Sequence, residues 1–122
     1  MLKIRQTSFP DVELVVAIAR GGILPGYLVS RFLNLGLEIL YLHFRDERHQ
    51  KEFAQPQLEK MITFDSREKR ILLVDDVSNS GATFAKAKEL LDTPHVFTAV
   101  ISGKADISFY GSHTKCIQWP WD

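Results

Sequence analysis

Residues 70–91 read RILLVDDVSNSGATFAKAKELL, and this stretch constrains the fold more tightly than any other part of the chain. Ile71 to Val74 form an unbroken apolar run, and a run without polar alternation is what a strand covered on both faces requires. Two adjacent acids, Asp75 and Asp76, end it. A turn of small polar residues follows, and ATFAKAKELL then resumes with apolar residues at helical spacing. A buried strand feeding a helix through a short turn is the repeating unit of a parallel α/β sheet.

The rest of the chain carries the same alternation. VELVVAIA (12–19) reads as a buried β-branched strand ended by Gly21 and Gly22, and ILPGYLVSRFLNL (23–35) as a helix with Pro25 in its first turn. Gly36 stands where a helix C-cap is expected. LEILYLHF (37–44) and HVFTAVIS (95–102) read as further strands, with short ones at MITF (61–64) and TKCIQW (114–119). Arg45 to Glu59 is polar, contains Pro56 and reads as a mobile excursion suited to a lid. The expectation is one domain over residues 1–122: an open, mostly parallel α/β sheet flanked by helices, with right-handed crossovers. Ligands of such sheets bind beyond the carboxyl ends of the strands, which puts Asp75, Asp76, Arg20 and Lys104 on one rim.

Composition removes several function classes. Fifteen basic residues balance fifteen acidic ones among 122, so no overall field draws nucleic acid or an anionic membrane. Cys116 is the only cysteine and has no partner for a disulfide within the chain. The opening residues MLKIRQTSFPDVE lack the apolar core of a signal peptide, and no apolar run reaches the length of a membrane span. A cytoplasmic protein with neither nucleic acid nor membrane as partner is expected.

Carboxylates adjacent at a strand end must reach polar partners, since burying charge unpaired is costly. Such a pair suits a vicinal diol or a hydrated divalent cation. The turn Ser78-Asn79-Ser80-Gly81-Ala82-Thr83 offers hydroxyls and the free amides of a helix start, and Gly81 lets chain and ligand approach closely. Diol and phosphate together describe a ribose 5-phosphate, although an ordinary strand, tight turn and capped helix would read similarly. The turn lacks the lysine of a P-loop, and no G-x-G-x-x-G occurs.

ILLVDDVSNSGATF resembles the phosphoribosyl pyrophosphate (PRPP) signature of the type I phosphoribosyltransferases. ARGGILPG and the closing QWPWD resemble their bacterial xanthine-guanine branch. The resemblance implies the type I phosphoribosyltransferase fold with a small C-terminal hood. It also implies transfer of ribose 5-phosphate from PRPP to a purine base such as guanine, xanthine or hypoxanthine. Asp75 and Asp76 would then hold the ribose hydroxyls, while Asn79, Ser80, Gly81, Ala82 and Thr83 cradle the 5-phosphate. Arg20, Gly21 and Gly22 match the pyrophosphate loop, where Arg20–Gly21 is the candidate for a cis peptide. Arg20, Asp75, Asp76 and Asn79 would carry catalysis. Lys104 matches a lysine that contacts the 6-oxo group, and the backbone at Ile117 matches a segment bonded to the purine edge. Magnesium would arrive with PRPP, with Asp75, Asp76 and Asp122 as its candidate protein ligands. The family commonly forms dimers or tetramers through the first helix, so a homo-oligomer is implied.

Three positions depart from the branch. Asn79 replaces an aspartate thought to manage a proton at purine N7, and an amide cannot take one. Cys116 stands where an aromatic usually stacks on the base. HFRDERHQKE replaces a Ser-Tyr pair of the mobile loop. Asn79 and Cys116 leave open a regulatory protein that binds PRPP or a nucleotide on the same fold.

Overall fold

The structure, a computed structural model, describes residues 7–44, 56–58, 64–78 and 81–110. Its elements run β1 (Leu14–Ala19), α1 (Ile23–Leu33), β2 (Gly36–Phe44), β3 (Pro56–Leu58), β4 (Ile71–Ser78), α2 (Ala82–Leu91), β5 (Val96–Gly103) and β6 (Ile107–Ser108). The strands form one sheet in the order β3-β2-β1-β4-β5-β6. All neighbours are parallel except β3, which pairs antiparallel to β2 at one edge. An open, mostly parallel sheet flanked by helices is what the alternation of apolar runs implied.

The sheet is filled from both sides by strict two-residue alternation. Val15, Leu72, Val74, Ala99 and Ile101 pack with Val29, Leu28 and Leu33 of α1 on one face. Val16, Ile18, Ile71, Leu73 and Val100 pack with Phe84, Ala87 and Leu91 of α2 on the other. Burial on both faces is why β1 and β4 are continuous apolar runs. Gly26 lets α1 sit close to the sheet, because a methyl group there would press on the Ala17 side chain.

Several boundaries differ from those the sequence suggested. α1 ends at Asn34, which takes the left-handed conformation (φ 57°) expected of a glycine, while Leu35 N–H closes back on Ser30 O at 2.9 Å. Asparagine tolerates that region because its short polar side chain bonds locally, so Gly36 is freed to open β2. The excursion after β2 is not all loop: Pro56–Leu58 is an edge strand, a place where a proline's missing N–H costs nothing. Phe64, expected at the end of a strand, lies in a bend instead. It leads into a turn where Arg67 N–H donates to Asp65 Oδ1 at 3.2 Å and the Ser66 hydroxyl donates to Leu91 O at 2.6 Å. β6 was not foreseen, since two residues carry no readable period. The expected strand at 114–119 and the C-terminal hood fall outside the described residues, as do residues 45–55.

The order places the chain's change of direction between β1 and β4: β2 and β3 lie to one side, β5 and β6 to the other. Loops leaving β1 and β4 therefore diverge and open a crevice at their carboxyl ends.

Candidate functional site

Two loops meet at that crevice. The first leaves β1 as Arg20-Gly21-Gly22 and enters α1; the second leaves β4 and enters α2 at Gly81. The first loop touches β4 itself, at the acid pair. Asp76 continues the face of β4 that carries Leu72 and Val74, which is the side α1 covers. Its carboxylate lies so close to Gly21 that any side chain there would run into it. Gly22 is wedged against the sheet, where a methyl group would collide with Val74 O and press on Ile18 O and Asp75 Cα. Gly22 N–H donates to Ile18 O at 2.8 Å, and Ile23 N–H to Arg20 O at 3.1 Å, which fixes the turn. Both glycines are thus required by close approach. The peptide between Ala19 and Arg20 is cis, one bond earlier than the Arg20–Gly21 position implied by the resemblance. The Arg20 residue is exposed at the rim.

Asp75 continues the opposite face, the one under α2, and is half-buried. Its Oδ1 turns back to accept the Asp76 N–H at 2.8 Å, and Asp76 Oδ1 accepts the Val77 N–H at 2.7 Å. Burial, together with the neighbouring Asp76 carboxyl, pushes the Asp75 pKa up to about 8, against the pull of the Asp76 N–H. Near neutral pH the Asp75 carboxyl therefore holds a proton more readily than an ordinary aspartate does.

β4 runs two residues past the acids, through exposed Val77 and buried Ser78. Gly81 follows as the N-cap of α2 in a left-handed conformation (φ 80°), with no side-chain cap and open space where a side chain would stand. A ten-residue helix begun this way presents first-turn amides and the positive end of its dipole to the rim. Ala82 opens that turn, and Thr83 follows it, half-buried. Lys104 is exposed, and its N–H donates to Ser78 O at 2.9 Å, which ties the start of the β5–β6 connection to the end of β4. Gly103 (φ 120°) makes that approach possible, since a side chain would strike the Ser78 backbone. Ser78 was missed as an organiser of the rim because a backbone carbonyl leaves no signature in sequence.

Arg20, Gly21, Gly22, Asp75, Asp76, Gly81, Ala82, Thr83 and Lys104 thus sit on the loops and strand ends around one edge of the sheet. Asn79, Ser80, Ile117 and Asp122 lie outside the described residues, as does Cys116. Among the described residues no group of three or more His, Cys, Asp or Glu gathers as a metal cluster, so a cation here would draw most of its oxygens from elsewhere.

This combination of parallel sheet, switch-point crevice, glycine loop and acid pair has the geometry of an α/β ligand-binding cleft. The chain belongs to the phosphoribosyltransferase family: the family model for the phosphoribosyl transferase domain matches residues 2–101. It is 33% identical over 117 residues to a xanthine-guanine phosphoribosyltransferase of Chromohalobacter salexigens, covering 92% of this chain and 70% of that protein. A solved protein of Neisseria gonorrhoeae with bound ppGpp superimposes with a TM-score of 0.71 at 25% identity, over 99% of this chain and 79% of the other. A purine phosphoribosyltransferase of Pyrococcus horikoshii gives 0.70 at 20% identity, over 88% and 83%, a likeness of fold.

Proposed function

We propose that this chain transfers ribose 5-phosphate from PRPP to a 6-oxopurine and releases pyrophosphate. The observation that carries the reading is the seating of Gly21 and Gly22 directly against Asp76 and Asp75. That contact joins a loop fit for pyrophosphate to a strand end fit for ribose. In the reaction a purine nitrogen forms a bond to C1′ while the C1′–O bond breaks, and its electron pair leaves with pyrophosphate. Asp76, and Asp75 once it gives up its proton to solvent, accept hydrogen bonds from the ribose hydroxyls. The amides at the start of α2, with Ser80 and Thr83, take the 5-phosphate. Arg20 and the Gly21 amide face the departing pyrophosphate, whose growing negative charge a fixed cation and dipoles stabilise. Lys104 donates to the 6-oxo oxygen, which favours an oxo over an amino purine. Ile117 contributes backbone hydrogen bonds to the base.

Magnesium suits this donor set: Asp75 and Asp76, with Asp122 as a third candidate, are hard oxygen ligands, and the ion keeps several waters and phosphate oxygens of its own. When bound it would neutralise charge on the pyrophosphate. Asp75 would release its proton as the ribose hydroxyls and the cation arrive.

Asn79 cannot serve as a base, so proton removal at the purine falls to water or to phosphate oxygens of the substrate.

The exposed face of α1 supports self-association. Ile23, Leu24, Tyr27 and Phe32 are 37%, 42%, 49% and 41% exposed, an apolar stripe that a second copy would cover in a dimer or tetramer. Sedimentation should give a mass of at least two chains, and Tyr27→Glu should shift it toward one. No helix among the described residues is long and apolar enough to cross a membrane.

The decisive assay mixes protein, PRPP and magnesium with guanine, xanthine, hypoxanthine and adenine. Pyrophosphate and a 5′-nucleotide should appear with a 6-oxopurine. PRPP binding without turnover on any base would support a regulatory binding protein instead. Asn79→Asp should raise turnover, toward the ~10²–10⁴-fold that a placed general base typically contributes; an unchanged rate would count against purine as the acceptor.

A further inference from the structure

The link from β5 to β6 is unusually short. Parallel neighbours ordinarily need a crossover of a dozen residues or more, yet Gly103 is followed by only Lys104, Ala105 and Asp106 before Ile107 pairs beside Ala99. From Gly103 back to the level of Ala99 is about 13 Å of strand, and one strand spacing to the side is about 5 Å. Four residue steps can cover at most about 14 Å. The segment that carries Lys104 is therefore a short strap with little spare length, bent at Lys104, Ala105 and Asp106.

Both ends of the strap are tied. At the upper end Lys104 N–H donates to Ser78 O at 2.9 Å, as described. At the lower end Asp106 and Thr98 close a reciprocal pair. Thr98 N–H donates to Asp106 Oδ2 at 2.9 Å, the Thr98 hydroxyl donates to the same oxygen at 3.3 Å, and Asp106 N–H donates to Thr98 Oγ1 at 2.9 Å. Thr98 is only 4% exposed, so its N–H, one step below the first β5–β6 pair, depends on Asp106 for a partner. Ile107 and Phe109, just beyond, are packed into the core on the α1 side.

We propose that Asp106, paired with Thr98, is a positioning residue for recognition of the base. It sets the course of the strap and thereby where the Lys104 ammonium stands relative to the ribose site on β4. The proposal rests on the phosphoribosyltransferase reading and adds a determinant of base affinity located on the far side of β5 from the acid pair. A loosened strap frees Lys104 while the β4–β5 pairing, Asp75 with Val100 and Val77 with Ser102, still holds the Asp75–Asp76 end of β4.

Affinities for guanosine 5′-monophosphate and for ribose 5-phosphate, measured side by side by calorimetry, test it. Asp106→Ala should weaken guanosine monophosphate binding about tenfold, the order of one lost hydrogen-bonded tie, and leave ribose 5-phosphate binding within about twofold. Asp106→Asn should restore wild-type binding of both, since its amide oxygen can accept the same two donors. Thr98→Val should reproduce a smaller part of the loss, and should add little to Asp106→Ala in the double variant. A residue acting only on stability would lower the melting temperature with both affinities unchanged or reduced alike, and that outcome overturns the proposal. Should Asp106→Ala fail to fold, Asp106→Asn and Thr98→Val decide: equal losses for both ligands overturn it. If the wild-type protein binds ribose 5-phosphate but guanosine monophosphate no more tightly, the strap has no base contact to position and this inference alone fails. If it binds neither, the transferase reading falls and takes this one with it.

Discussion

The two halves of β4 show what one strand can be asked to do. Ile71, Leu72, Leu73 and Val74 are fully buried. They are paired on both sides and clamped between α1 and α2. Asp75 to Ser78 belong to the same strand, yet the acids are half-exposed, Val77 is exposed, and three glycines of neighbouring segments crowd the backbone or the acid side chains. The first half gains free energy from apolar burial. The second gives some of it up by holding a half-buried acid pair within reach of the crevice. The apolar half and the ligand-facing half are separated by a single peptide bond.

The largest expected effect lies in the buried half. Leu73→Ala removes a side chain enclosed on the α2 face and should cost about 2–5 kcal/mol, read as a lower denaturant midpoint at unchanged slope. PRPP affinity of the molecules that remain folded should stay near wild type. A loss of affinity without a loss of stability would erase the distinction between the halves.

The pH dependence of the free protein should come next. Asp75 binds its proton more tightly folded than unfolded, so its stabilisation is complete below pH 4. It fades as pH rises toward about 8. Asp75→Asn should flatten this dependence and be more stable than wild type at pH 8, measured by denaturant unfolding across the range. Equal slopes for the two proteins would mean that the acid pair is not strained in the way its burial implies. The same substitution should abolish the release of protons that accompanies PRPP binding near neutral pH.

A smaller structural effect is expected at the joint between the halves. Gly22→Ala forces a methyl group onto Val74 O and Ile18 O and should cost about 1–3 kcal/mol. Because the loop must lift to admit it, PRPP affinity should fall as well. Gly81→Ala meets no neighbouring atom but must hold a left-handed backbone. It should cost about 1 kcal/mol, with the loss confined to ligands that carry a 5′-phosphate.

The same division governs what could be read from the sequence. β4 and α2 were legible because an apolar run and a helical period survive in one dimension, and α2 was placed at Ala82–Leu91 as the structure has it. The order strand, acid pair, small turn, helix was legible too, and with it the family. β3 and β6 were not, being three residues and two, too short to show alternation. The raised pKa of Asp75 was invisible because it comes from burial, not from residue type. The contact of Gly21 with Asp76 brings together residues 55 positions apart in sequence, and only the pairing of β1 with β4 creates it. Thr98 and Asp106 look in sequence like an ordinary strand threonine and a turn aspartate, and the tie between them appears only once β6 is known to lie beside β5.

The most direct measurement is the movement of backbone amide resonances on adding PRPP with magnesium. Gly21, Gly22, Asp75 to Ser78 and Gly81 to Thr83 should shift together and saturate at a single affinity, while Ile71 to Val74 stay where they were. Saturable shifts elsewhere on the molecule with these amides unmoved would contradict a sugar-phosphate site between the ends of β1 and β4.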